Sequence, residues 1–230
     1  MEKIVHKLAH VMEHIQPYVA YKVGPVEITD TVVTTWIVMI VLFAVIFFFT
    51  RGLSEKPTTK RQHIIEMIVG FIVDLIDSIL GKQGRKYLPL IGTLFIFILF
   101  LNLSWFIPTL KPPTMDLSTT AAFAVTTIII VQLIGIKKKG IVGYVKHFFE
   151  PVPFLFPLNV LEELVKPFSL ALRLFGNMFG EEMVVTILFI ILPLFLPVPI
   201  QVLGVLMGTI QAMVFTMLPV IYIASFIHGH

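Results

Sequence analysis

The sequence contains no cysteine and few charged residues. None of the 230 residues is cysteine, and only 13% are Asp, Glu, Lys or Arg, whereas a soluble domain would have about 25%. Without cysteine there is no disulfide framework, thiolate metal site or cysteine nucleophile. The low charge and a hydrophobic fraction of 57% exclude a soluble enzyme and a disordered chain. The composition indicates an integral membrane protein.

The basic residues and the N-terminus point to a membrane rather than to nucleic acid. The net charge is +3, but the lysines and arginines flank apolar segments, which is typical of membrane orientation. Residues 1–31 lack the pattern of a cleavable signal peptide and predict an external amphipathic segment. His6, His10 and His14 share one face of this segment. They could bind a metal, but solvated surface histidines are the simpler interpretation, so we expect no metal and no cofactor.

Five apolar stretches are long enough to cross a membrane. A bilayer core about 30 Å thick needs roughly 20 mostly apolar residues in a helix. The stretches that meet this requirement are residues 32–50, 87–106, 117–136, 160–192 and 200–227. A proline-rich turn, Pro193–Pro199, separates the last two, and Lys137, Lys138 and Lys139 are expected to end the third. The sequence therefore predicts an all-α integral membrane protein with one membrane domain over residues 1–230.

Residues 62–80 and the positions of the basic residues predict the arrangement around the membrane. The segment 62–80 has an apolar face interrupted by Glu66, Asp74 and Asp77. It fits an interfacial amphipathic helix better than the arm of a polar hairpin. Lys and Arg are most abundant between the first two stretches and directly after the third. With five crossings, this distribution predicts an external N-terminus and a cytoplasmic C-terminus.

A single arginine lies deep within the fourth stretch. These 33 residues would form a helix roughly 50 Å long, which exceeds the hydrocarbon thickness. We therefore expect a strongly tilted helix, with a kink at Pro167 as the alternative. Several polar or small residues lie within about 60° of Arg173: Glu162, Lys166, Ser169, Gly176, Asn177 and Gly180. The spacing of Gly176 and Gly180 predicts that Arg173 faces a closely packed partner helix.

Three interpretations of Arg173 follow from the residues alone. Its guanidinium stays charged, and a mid-membrane position costs from about 2.5 to more than 10 kcal/mol. Arg173 could snorkel to the interface, although it lies far from the start of its stretch. It could form an ion pair with Glu181, at about 80° from it, or with Glu182, which falls almost opposite. The sequence favours the third interpretation, a functional charge.

Glu182 and Gln211 are further candidate polar residues. Glu182 could reach the interface or a water-filled cleft, or exchange protons. Gln211 is the main deep polar group of the last stretch, with Gly204 and Gly208 on the same face. This glycine pair predicts tight packing against the fourth stretch. Gln211 could then bond to Arg173, line a polar path or make a structural bond between helices.

Two motifs resemble those of a known family. The stretch KPFSLALRLFGNMFGEE, from Lys166 to Glu182, resembles the signature of subunit a of F-type ATP synthases. QAMVFT, from Gln211 to Thr216, resembles the motif of that family's last helix. The layout of the whole chain is also similar, and the specific motifs cover roughly residues 157–220.

The resemblance implies a non-catalytic, proton-conducting stator subunit of a rotary motor. In this family, subunit a lies beside a ring of c subunits with essential carboxylates, which two offset aqueous half-channels connect to the two membrane faces. The last two helices would be long and tilted and would pack as a hairpin against the ring. Peripheral-stalk b subunits, other synthase subunits and the lipid bilayer would be the further partners. The expected location is a bacterial plasma membrane.

The resemblance also implies roles for individual residues. It places these residues in ion translocation: Arg173, Asn177, Glu181, Glu182, Gln211, Glu162, Glu163 and Ser169. Arg173 would couple ion flow to rotation and prevent a proton short-circuit, with Gln211 as its neighbour. Asn177 and Glu182 would belong to the outer half-channel, and the last three residues of the list to the cytoplasmic one. Relatives often have an ionisable residue at the position of Gly204, so a relay here would use water or Glu181.

The main alternative is a self-contained ion channel or secondary transporter. No internal repeat is visible in the sequence, which weighs against a transporter with inverted repeats. A structural or assembly subunit is a further possibility, in which Arg173 would only pack. An intramembrane hydrolase lacks any Ser-His, paired-Asp or His-Glu motif within the spans. The choice between proton and sodium stays open, because in the resembling family it depends mainly on the c ring.

Overall fold

The computed structural model describes residues 18–23, 26–51, 60–106, 112–149, 153–191 and 197–228. The predicted N-terminal amphipathic segment therefore lies largely outside the described residues, and so do His6, His10 and His14. The described residues form a small β-hairpin followed by six helices, and one hydrophobic core joins all of these helices except the first.

The hairpin is an addition to the predicted all-α architecture. Strand β1 (Val19–Val23) pairs antiparallel with strand β2 (Val26–Thr29). Strand β1 contains Val19, Tyr21 and Val23, and strand β2 contains Val26 and Ile28; such β-branched and aromatic residues favour extended structure. The amide of Asp30 donates a 3.0 Å hydrogen bond to the carbonyl of Tyr18. The hairpin thus leads directly into the first helix.

The helices overlap each of the segments that the sequence predicted to be helical. Their bounds are α1 Asp30–Thr50, α2 Lys60–Leu80, α3 Leu88–Asn102, α4 Leu117–His147, α5 Phe156–Ile191 and α6 Pro197–His228. Short 3-10 turns at Lys82–Tyr87, Leu103–Phe106, Pro113–Met115 and Pro153–Leu155 connect or extend them.

Four helical segments of the described chain are long and apolar enough to cross a membrane. They are Asp30–Thr50, Lys82–Asn102, Leu117–Lys146 and Pro199–Ile227. Large apolar side chains on α1 are exposed, including Ile40 at 67% and Phe43 at 72%. Such a surface suits lipid and not water. These features confirm a predominantly α-helical membrane protein. Helix α5 is not among the four helical segments that are long and apolar enough to cross a membrane.

The bounds of helices α4 and α6 differ from the prediction, whereas helix α5 shows no break at Pro167, the predicted alternative to a tilted helix. Helix α4 breaks at Gly140, directly after the lysines 137–139 that were expected to end it, and a further helical segment continues the element to His147; the φ of 71° at Gly140 suits glycine. Helix α5 runs through Pro167 as one element. Helix α6 begins at Pro197, within the segment predicted as a turn. Proline fits a first helical turn because its missing N–H has no acceptor there.

The core lies where α3, α4, α5 and α6 meet. Its fully buried side chains include Ile91 and Ile98 from α3, Leu174 from α5, and Phe215 and Ile223 from α6. Helices α4 and α6 also approach closely, since a Cβ atom at Gly135 would lie 2.9 Å from the ring of Phe226. This packing holds the polar residues of α5 and α6 in fixed positions.

Helix α2 joins the core through one face. Ile72, Leu75 and Ile76 are buried there, as the predicted apolar face of this segment requires. At the end of the helix, Arg85 Nε donates a 3.0 Å hydrogen bond to Asp77 Oδ1. This guanidinium holds the pKa of the Asp77 carboxyl below its usual value.

Candidate functional site

Arg173 lies on the exposed side of α5. Its side chain is exposed and makes no hydrogen bond or ion pair with the residues that the structure describes. The predicted alternative of an ion pair with Glu181 or Glu182 is therefore wrong within the described chain. The buried side of α5, which includes Leu170, Leu174 and Met178, faces the opposite direction into the core.

The face around Arg173 is open. Among the residues that the structure describes, no atom of another side chain or helix lies within 4 Å of a Cβ atom built at Gly176 or Gly180. Ser169 is exposed on the same face. The closely packed partner helix that the sequence predicts is therefore not one of the helices that the structure describes. We call the face formed by Ser169, Arg173, Gly176 and Gly180 the arginine face.

Two glycines of α6, Gly204 and Gly208, contact polar side chains of two different helices. Gly204 lies against Glu181 of α5, and a Cβ atom at position 204 would overlap with the Glu181 carboxyl group. Gly208 lies against Asn102 of α3, whose Cβ would be 3.3 Å from a Cβ atom at position 208. The predicted packing against the fourth stretch thus holds for Gly204, whereas Gly208 contacts α3 instead.

Gln211 bonds to Asn177 and not to Arg173. The Asn177 Nδ2 donates a 2.7 Å hydrogen bond to Gln211 Oε1. Gln211 is only 3% exposed, and its Nε2 has no hydrogen-bond partner in the described structure. An unpaired buried amide is costly, and sites of this kind are usually satisfied by an ordered water molecule. The Gln211 amide therefore retains a donor group that can bind water.

Asn102 is a site residue that the sequence analysis missed. It is fully buried, and its Nδ2 donates a 2.9 Å hydrogen bond to the carbonyl oxygen of Gly208. Its Oδ1 has no partner among the described residues. An asparagine inside the apolar stretch 87–106 was the available signal, because polar groups are rare at such positions without a function.

These contacts place polar groups along one side of α6. Glu181, Asn102 and Asn177 meet this helix at positions 204, 208 and 211, respectively. The three contact positions span about 10 Å along the helix axis. We call Glu181, Asn102, Asn177 and Gln211 the polar strip. Glu182, the neighbouring carboxylate, is partly buried and belongs to the adjacent side of α5.

A second polar cluster lies on α5 between its start and Arg173. Glu163 accepts hydrogen bonds from Gln132 and from Lys166. The Lys166 ammonium also lies 3.4 Å from Glu162 and 4.7 Å from the centre of the Tyr222 ring. Lys166, Gln132 and Tyr222 were not assigned a role by the sequence analysis. The two carboxylates of this cluster have different surroundings, with Glu162 68% and Glu163 18% exposed.

Known proteins with similar sequences share one description. Residues 32–224 match the family described as ATP synthase A chain. The chain is 65% identical to ATP synthase subunit a of Moorella thermoacetica over 219 residues, which cover 95% of this chain and 100% of that protein. It is 43% identical to ATP synthase subunit a 1 of Chlorobaculum parvum over 208 residues, which cover 90% of this chain and 92% of that protein. It is 38% identical to ATP synthase subunit a 2 of Bradyrhizobium sp. over 205 residues, or 89% and 92% of the two chains.

Proposed function

This chain belongs to the ATP synthase A chain family, and we propose that it is the proton-conducting stator subunit in the membrane sector of an F-type ATP synthase. The family membership confirms the resemblance that the two motifs predicted. In this role the protein is not itself an enzyme. It provides two half-channels to the carboxylates of a c ring, and ion flow through them turns the ring.

The unpaired Arg173 on the arginine face is the observation that carries this proposal. A guanidinium exposed to lipid would cost several kcal/mol or more, and the described chain offers it no carboxylate. Gly176 and Gly180 leave room for a helix from another subunit. A ring of helices with one carboxylate each satisfies both requirements, because it covers the face and supplies the opposite charge.

The polar strip is suited to be the outer half-channel. It runs along α6 from Gly204 to Gln211, and both Asn102 and Gln211 have unpaired buried atoms that a water molecule could satisfy. The Glu181 carboxyl group fills the space beside Gly204. Glu181 thereby supplies the ionisable group that position 204 lacks. Glu182 completes the outer part of the path.

The cytoplasmic half-channel is formed by residues of α5 on the other side of Arg173. Glu162 and Ser169 are exposed on the arginine face, and Glu163 lies at its edge. Between the two half-channels, Arg173 stabilises a deprotonated ring carboxylate. It also prevents direct proton transfer, because arginine does not give up its proton. Each charge that crosses the membrane gains about 2.3 kcal/mol per 100 mV.

The membrane arrangement follows from the same proposal. Helix α5 is the fourth of five spans in chain order and lies tilted beside the ring together with α6, while α2 lies in the interface. The charged residues of α5 are then covered by the ring and by water, which explains why α5 is less apolar than the other spans. The N-terminus is external, the C-terminus is cytoplasmic, and b subunits of the peripheral stalk contact the chain in a bacterial plasma membrane.

Ion flux through the isolated chain separates this function from that of a self-contained channel. We expect the purified chain in liposomes to give no proton flux above that of empty liposomes under an imposed potential, because its arginine face has no ring carboxylates. The complete synthase reconstituted in the same lipid should acidify the liposome interior when ATP is added outside. Rapid proton flux through the isolated chain would contradict the stator function.

A further inference from the structure

The two adjacent glutamates on α5 differ in how their oxygens are used. Both carboxylate oxygens of Glu163 accept hydrogen bonds, Oε2 from Gln132 Nε2 and Oε1 from Lys166 Nζ. Glu162 has a single contact in this cluster, an ion pair of 3.4 Å with Lys166. A carboxylate that exchanges protons with water needs an oxygen that water can reach. The Glu162 side chain is 68% exposed, whereas both oxygens of Glu163 already accept hydrogen bonds and its side chain is 18% exposed.

The donors to Glu163 are themselves held in place. The Tyr144 hydroxyl donates a 2.6 Å hydrogen bond to Gln132 Oε1, which turns the amide NH₂ of Gln132 towards Glu163. The Tyr144 ring packs against Phe148 and Phe226 at centroid distances of 5.3 and 5.9 Å. Because its ring is fixed on two sides, Tyr144 fixes the orientation of the glutamine amide.

Lys166 is fixed from the opposite side. Its ammonium lies over the ring of Tyr222 on α6, and its side chain is only 15% exposed. The cation–π contact and the hydrogen bond to Glu163 restrict it to one geometry. This set of contacts connects α5 with α6 through Tyr222. It also connects α5 with α4 through Gln132 and Tyr144, which lie on opposite sides of the kink at Gly140.

We propose that Lys166, Gln132 and Tyr144 are positioning residues that hold Glu163 as a fixed acceptor, which leaves Glu162 to exchange protons on the cytoplasmic side. This inference rests on the proposed function and refines it, because it assigns different roles to two residues of the same half-channel. Glu163 anchors α5 to α4, and Glu162 lies on the arginine face with access to water.

Carboxyl labelling of the assembled synthase in membrane vesicles tests this division. A water-soluble carbodiimide with glycine ethyl ester modifies accessible, protonated carboxyl groups, and fragment ions in mass spectrometry distinguish the two neighbouring glutamates. We expect Glu162 to be labelled about tenfold faster than Glu163, as the loss of charge-assisted hydrogen bonds implies. Equal labelling of the two, or faster labelling of Glu163, would overturn the inference.

Substitutions of Lys166 and Tyr144 test whether these residues hold Glu163 in position. Lys166→Met should raise the labelling of Glu163 about tenfold, and Tyr144→Phe should raise it about threefold because Gln132 can then rotate. Lys137→Met is the matched control, since Lys137 is an exposed lysine of α4, and it should leave both rates unchanged. Unchanged Glu163 labelling in Lys166→Met would also overturn the inference.

Transport measurements separate this inference from the proposed function. ATP-driven proton pumping should fall about tenfold in Glu162→Gln and recover in large part in Glu162→Asp, which restores the carboxyl group. Arg173→Ala is measured in parallel. If Arg173→Ala pumps normally, the proposed function fails. If Arg173→Ala is inactive and Glu162→Gln pumps like the wild type, only the division between the glutamates fails.

Discussion

Replacing Arg173 with lysine should reduce ATP-driven proton pumping by at least about tenfold while the complex still assembles. Lysine keeps a positive charge but loses the planar fork that can bind two carboxylate oxygens at once. A buried lysine can also release its proton, whereas arginine does not. The substituted site would therefore stabilise the ring carboxylate less well and separate the half-channels less strictly.

The measurement is acidification of inverted membrane vesicles after addition of ATP, with complex assembly checked by native gel electrophoresis. Arg51→Lys is a suitable control, because Arg51 is also exposed and its guanidinium lies over the Phe47 ring, with 5.0 Å between the guanidinium carbon and the ring centroid. This control should pump at the wild-type rate. Full pumping by Arg173→Lys would show that a generic positive charge is sufficient, contrary to the proposed role.

The second large effect is expected for Asn102→Leu, which should lower pumping about tenfold with little change in stability. Leucine has a similar size but removes the polar group beside Gly208, so the polar strip is interrupted between Glu181 and Gln211. Stability should change little, because the variant loses the hydrogen bond from Asn102 Nδ2 to the Gly208 carbonyl but also removes a buried Oδ1 that lacks a protein partner in the described structure.

Pumping and thermal unfolding of the detergent-solubilised complex are measured together for this variant. Ser104→Ala is the matched control, since Ser104 is also buried and its hydroxyl donates a 2.8 Å hydrogen bond to the carbonyl of Leu101 in its own helical segment. Wild-type pumping by Asn102→Leu would exclude Asn102 from the outer path. A drop in pumping accompanied by loss of assembly would show that Asn102 is a packing residue.

The helices and Arg173 could be predicted from the sequence because their signals are local. An apolar run of sufficient length predicts a membrane helix by itself, and one arginine inside such a run is conspicuous for its cost. The motif around Arg173 then identified the family, and the comparisons confirmed it. The β-hairpin and the kink at Gly140 were missed, since short segments of this kind have weak sequence signals.

The partners of the polar residues could not be predicted, because they depend on which distant helices come together. Asn102 and Gly208 are 106 positions apart in the chain, and Gln132 and Glu163 are 31 apart. Helical spacing describes one helix at a time, and the family resemblance placed Glu162 and Glu163 in the same half-channel without distinguishing them. Their different environments arise from α4, whose extension past the lysines was not expected.

The most direct test of the central claim is ATP-driven acidification of inverted vesicles that contain Arg173→Ala, with the assembled complex verified in the same membranes. The account predicts that acidification is lost while the complex remains, because without the guanidinium nothing couples proton flow to rotation. Acidification at the wild-type rate would show that Arg173 is a structural residue and would contradict the proposed mechanism.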